Sequence, residues 1–213
     1  MKPVVVLLSF MIIVITCNFY WNKSADEIPG SHVLSLVKVE ANEDTKIRLR
    51  LKHKASTLRK FAKGKQFNTT RCFIMDMSIA SGKKRFFVYN LITDSAEYSG
   101  LVAHGSGSNS TKGLYFSNIR NSNCTSLGNY KIGQAYYGRF GLAYKLHGLD
   151  KTNSNAFSRF VVLHAHSCVP DGEINPLELC RSWGCPTVSP VFLTRLKNCL
   201  DESKQPILLS IFN

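Results

Sequence analysis

Hydrophobic and polar positions change their spacing several times along this chain. After Lys2, the runs Val4-Val5-Val6-Leu7-Leu8 and Phe10-Met11-Ile12-Ile13-Val14-Ile15 are interrupted only by Ser9. A basic start ahead of an apolar core is the pattern of an export signal. The run continues through Cys17 and Phe19-Tyr20-Trp21, long enough to border on a membrane span. Val14-Ile15-Thr16-Cys17 also resembles a bacterial lipoprotein box. Residues 1–24 therefore read as a signal peptide or membrane anchor, with a lipoprotein open as a third form.

Residues 22–45 are polar and mixed, and read as a linker. From 46 to 65 there are nine basic residues and no acidic one, while Ile47, Leu51, Ala55, Leu58 and Ala62 recur at helical spacing. That pattern predicts a basic amphipathic helix, so 25–66 is a linker plus helix. Such a helix suits an anionic lipid or wall polymer, and equally suits packing on a main domain with its charges in solvent.

From Phe67 the period shortens. Strands are predicted at Cys72–Met77, Arg85–Leu91, Ala96–Val102, Gly141–His147, Phe160–His166 and Pro206–Phe212, with a helix at Val191–Leu200. Gly-, Ser- and Asn-rich loops separate them. Many short strands with few helices make residues 67–213 a mainly β (α+β) domain, a sandwich or barrel.

Composition adds two constraints. Hydrophobic residues make up 44%, which is enough for a core. Lys and Arg outnumber Asp and Glu by 27 to 14, giving +13 and favouring an anionic partner. Nucleic acid is not expected, because no recognition module is present and the start reads as exported. Seven cysteines in an exported chain make disulfides the default.

One stretch offers chemistry. Arg181-Ser182-Trp183-Gly184-Cys185-Pro186 puts a cysteine behind a glycine at a turn, and His164 and His166 lie on an apolar strand upstream. The thiolate is the reactive form of cysteine, and a histidine can take its proton. Backbone N–H groups at such a turn can hold an oxyanion. The plain alternative makes Cys185 half of a disulfide and His164 a core histidine. A zinc shell from His164, His166, Cys168, Cys180 and Cys185 is a further rival, weakened by the lack of CxxC or HExxH spacing. His104-Gly105 and His147-Gly148 stand at strand ends, where a histidine is more often a turn residue.

Several ordered motifs resemble the murein L,D-transpeptidase catalytic family (YkuD-like). They are LVAHGSGS (Leu101–Ser108), FSN (Phe116–Asn118), SLG (Ser126–Gly128), HGLDKTNSNAFSR (His147–Arg159), VVLHAH (Val161–His166) and RSWGCP (Arg181–Pro186). The resemblance implies a cysteine acyl-transferase that acts on peptidoglycan stem peptides through a thioester, in the cell envelope on the periplasmic or extracytoplasmic side. The same site using water would be an L,D-carboxypeptidase, and a wall-binding protein with structural cysteines is a different class again. By motif, Cys185 matches the nucleophile, His164 the base, and Arg181, Ser182 and Gly184 the turn. His166, Trp183, His104 and Arg159 are expected to bind substrate. No cofactor or metal is implied. The partners are peptidoglycan and, through the N-terminal segment, a membrane. Three departures from the family pattern stand out: Trp183 replaces a histidine, Ala165 and His166 follow the base histidine, and Cys180 replaces a glycine. A Cys180–Cys185 disulfide would silence the site.

Overall fold

A computed structural model describes residues 29–213, with side chains described from Asn42. The predicted signal or anchor and the first residues of the predicted linker lie outside the described residues. Helix α1 runs Pro29–Ala62, so it begins inside the stretch whose polarity reads as linker. No proline or glycine stands between Ser31 and Lys63 to interrupt it. The chain divides into two compact units between Leu49 and Arg50. In the first, Leu49 is exposed. In the second, Leu51, Ala55, Leu58 and Ala62 are buried, as their spacing predicts. Burying each leucine contributes on the order of 2 kcal/mol. Among the described residues no helix is long and apolar enough to cross a membrane.

The second unit is strand-rich. Its main strands are β1 (Arg71–Asp76), β2 (Phe86–Asn90), β3 (Ser95–Gly100), β4 (Val102–Ala103), β7 (Gly128–Gly138), β8 (Gly141–Gly148), β9 (Val162–Ala165), β10 (Thr187–Val188) and β11 (Leu208–Phe212). A small hairpin adds β5 (Asn109–Ser110) and β6 (Gly113–Leu114). The nine-stranded sheet has the order β3-β2-β1-β11-β7-β8-β9-β10-β4. Its two ends, β3 and β4, are joined in the chain by Leu101 alone. The sheet must therefore curl on itself, which gives the barrel-like form. Aromatic and aliphatic side chains fill the interior, with Phe86 edge-on to both Phe73 and Phe192.

Helix α2 (Pro190–Asp201) starts where Ser189 accepts the Phe192 N–H and Pro190 sets the first turn. Phe192, Leu193, Leu196 and Cys199 form its buried face. Val191, expected to face inward, is exposed instead, because the cap at Ser189 rotates the register so that Phe192 faces the core. The predicted strands match to within a few residues, but β7 was not expected. Of its eleven residues, Gly128–Gly138, only Tyr130 and Ile132 are buried, so the period-2 signal is too short to read.

Two parallel pairs matter for the site. β1 pairs with β11, and β9 pairs with β10 with Thr187 opposite His164. β8 flanks β9 on the other side, with Ala143 opposite His164.

Candidate active site

The β9–β10 register puts Cys185 two residues before Thr187, alongside Val162. The Val162 N–H donates to Cys185 Sγ at 3.4 Å, and the thiol donates to the Phe160 carbonyl at 3.7 Å. Cys185 is a free, half-buried thiol, and it lines a cleft of about 790 Å³ together with His164, His166, Arg159 and Trp183. Cys180 is bonded to Cys168 rather than to Cys185. The silencing pair is therefore not formed, and the zinc shell considered from sequence loses two donors. Among the described residues no group of three His, Cys, Asp or Glu is arranged to hold a metal ion.

The turn that presents Cys185 is closed by Ser182. Its hydroxyl donates to the Cys185 carbonyl at 2.6 Å and accepts the Gly184 N–H at 3.2 Å. Gly184 sits at φ +108°, where a Cβ would lie 2.8 Å from the Cys124 carbonyl. Any other residue would be both strained and clashing there. The Gly184 N–H is thus taken, while no hydrogen bond among the described residues claims the N–H of Cys185. The Cys185 N–H is therefore free to meet an oxyanion, whereas the Gly184 N–H would first have to leave Ser182.

Ser182 is in turn fixed from below. Its N–H donates to the His104 carbonyl, and its carbonyl accepts from Ser106. Gly105 makes the bridge to Ser182 with no room for a Cβ, which would meet the Asn123 carbonyl and Gly184. His104 itself is 3% exposed and does not line the cleft. The buried Arg85 guanidinium donates to its Nδ1 at 2.8 Å, so the ring proton sits on Nε2, which meets the Asn109 amide at 2.5 Å. The substrate contact expected of His104 is therefore replaced by a supporting position under the turn.

Arg159 lines the cleft but is committed to its own loop. It donates to the carbonyls of Ser117 and Cys124 and to the hydroxyls of Ser126 and Ser122. Arg181 pairs with Glu178 at 3.2 Å. Trp183 is 75% exposed at the mouth, and His166 is exposed beside the base candidate.

His164 and Cys185 share the cleft, yet no direct bond joins them. His164 Nδ1–H donates to the Ala165 carbonyl at 3.0 Å, and Nε2 meets the Thr187 hydroxyl at 3.0 Å. Phe140, from the β7–β8 turn, stacks on the imidazole at 4.8 Å. Burial pushes the Cys185 thiol up, against the pull of the Val162 N–H and the Arg159 charge. Burial also pulls His164 below the ordinary histidine value, helped by the neighbouring His166. The resting pair is therefore neutral thiol and neutral imidazole, poised to exchange a proton as a bond forms rather than to hold an ion pair beforehand.

Thr187, Phe140 and Phe160 were missed from sequence. Thr187 offered one signal, a polar residue two places after the cysteine in a buried strand. Phe160 holds φ +58°, rare for a bulky residue, and this turns its carbonyl toward the thiol.

Residues 43–208 match the family model described as the L,D-transpeptidase catalytic domain. The chain belongs to that family. Among solved structures, it is similar to an L,D-transpeptidase fragment from Xylanimonas cellulosilytica at 14% identity and TM-score 0.38, covering 67% of this chain and 60% of that one. An L,D-transpeptidase from Mycobacterium smegmatis gives 13% and 0.38, covering 68% and 59%. The helical cell shape determining protein Pgp2 from Campylobacter jejuni gives 9% and 0.41, covering 74% and 54%. The chain thus spans between about half and three fifths of these structures. No curated protein matches. In this L,D-transpeptidase family domain, the family match covers both the β9 histidines and the Cys185 turn.

Proposed function

We propose that this protein is a cysteine acyl-transferase of the cell envelope, an L,D-transpeptidase acting on peptidoglycan stem peptides. The observation that carries the reading is the register of β9 on β10, which puts a free Cys185 thiol and a buried neutral His164 into one cleft. The family match supports the reaction class, and the excess of basic residues suits an anionic wall polymer. The N-terminal apolar segment would carry the domain out of the cytoplasm and hold it to the membrane.

In the reaction, Cys185 Sγ attacks the carbonyl that precedes the terminal D-alanine as His164 Nε2 takes the thiol proton. The S–C bond forms, and the oxyanion is met by the Cys185 N–H. His164 then gives its proton to the D-alanine nitrogen as the C–N bond breaks, leaving a thioester. An amine of a second stem attacks the thioester, passes a proton through His164, and restores the thiol. Thr187 holds His164 Nε2 until the thiol turns toward it. Exposed Trp183 and His166, which line the cleft, would meet the acceptor, and Arg181 and Arg159 add positive charge.

Incubation with a stem tetrapeptide and an amine acceptor tests the reading. The expected result is one D-alanine released per cross-linked product. Release of D-alanine with only the tripeptide acid formed would make the enzyme a carboxypeptidase. No release would remove the enzymatic reading.

A further inference from the structure

The charged residues that line the cleft are all of one sign. Arg120, Arg139, Arg159 and Arg181 line it, and no aspartate or glutamate does. Two of the four are already used. Arg159 clamps the loop at residues 117–126, and Arg181 meets Glu178. Arg120 and Arg139 have no carboxylate partner among the described residues. Arg139 lies over the Phe140 ring, 5.7 Å from the centroid.

The segments that carry them are anchored, while the two arginines are exposed. Arg120 sits on the loop fixed by Arg159 and by Asn118, whose amide donates to the Lys151 carbonyl and the Ser154 hydroxyl. Arg139 sits on the tight turn between β7 and β8, beside the Phe140 ring that stacks on His164. The two arginines thus line the cleft from different elements, one from a loop and one from a hairpin. An arginine fork matches a carboxylate in two parallel hydrogen bonds, and it gains nothing comparable from a carboxamide.

We propose that the cleft selects stem peptides whose side carboxyls are free rather than amidated, and that Arg120 and Arg139 are the residues that read them. This rests on the acyl-transfer reading and names its substrate more narrowly. The hairpin arginine also links recognition to chemistry, because a carboxylate docked on Arg139 steadies the same turn that packs Phe140 over His164.

The test uses the full chain and two synthetic tetrapeptides of one sequence, both ending in D-alanine. In one the side carboxyls are free, and in the other they are carboxamides. Acylation rates are followed by intact mass. The free form is expected to acylate about tenfold faster or more, the scale of one charge-assisted hydrogen bond. R120Q and R139Q should each bring the free-to-amidated ratio toward one, and added salt should shrink it in the wild type. A ratio near or below one in the wild type, or an unchanged ratio in both variants, overturns the proposal while leaving acyl transfer intact. Failure of both peptides to form an adduct overturns the acyl-transfer reading and the proposal with it.

Discussion

His164→Gln is expected to slow acylation by about 10³-fold, the usual size of a lost general base. The glutamine amide can still meet Thr187 and the Ala165 carbonyl, so stability should change by no more than about 1 kcal/mol. The pH profile separates a base from a merely structural residue. To accept the thiol proton, His164 must be neutral, which holds above its pKa. Burial lowers that pKa, so the acid limb of wild-type kcat/KM lies below the ordinary histidine value of 6.5. Burial raises the Cys185 thiol above its ordinary 9.0, so wild-type activity stays level across neutral pH with the thiol protonated. In His164→Gln the acid limb disappears, and the residual rate climbs only in alkaline solution as thiolate forms. An unchanged acid limb in the variant would assign the proton chemistry to another group, with exposed His166 the nearest candidate.

Arg85→Met is expected to cost about 3 kcal/mol of stability, because it leaves buried acceptors without donors. Arg85 is 1% exposed, and it donates to the carbonyls of Val102 and Ile79 and to His104 Nδ1. Burial brings its pKa down to about 10, which still leaves it cationic at neutral pH. Methionine fills the space but supplies no proton, so three acceptors lose their partner. For a chain of this size the loss corresponds to a fall in Tm of about 10 °C. Activity should fall as well, since His104 and Gly105 support Ser182 and the Cys185 turn. Denaturant or thermal unfolding of the full chain measures the first effect. A loss below about 1 kcal/mol would mean that the network is not the support described.

Much of the fold is written in local patterning. The spacing of Leu51, Ala55, Leu58 and Ala62 predicts the buried face of α1, and the apolar runs predict six strand regions. β7 escaped because its side chains are largely exposed and its glycines dilute any alternation. That Cys185 and His164 share a cleft is foreshadowed by their residue types, a cysteine behind a glycine turn and a histidine on an apolar strand. The details of the site are less legible, because they come from strands meeting across the sheet. Thr187 reaches His164 only through a parallel pairing. Cys180 finds Cys168 twelve residues away rather than Cys185 five away, a choice no spacing rule dictates. His104 reads from sequence as a strand-end residue facing substrate, yet a buried arginine nineteen positions back in the chain draws it under the turn.

The central claim is that Cys185 becomes a thioester. Intact-mass analysis of the full chain, mixed with a stem tetrapeptide ending in D-alanine, tests it most directly. The wild type should gain the mass of the tripeptide acyl group, lose that mass in hydroxylamine, and carry it on the fragment that contains Cys185. Cys185→Ala should gain nothing. An adduct that survives Cys185→Ala, or one that maps to another residue, would contradict the account.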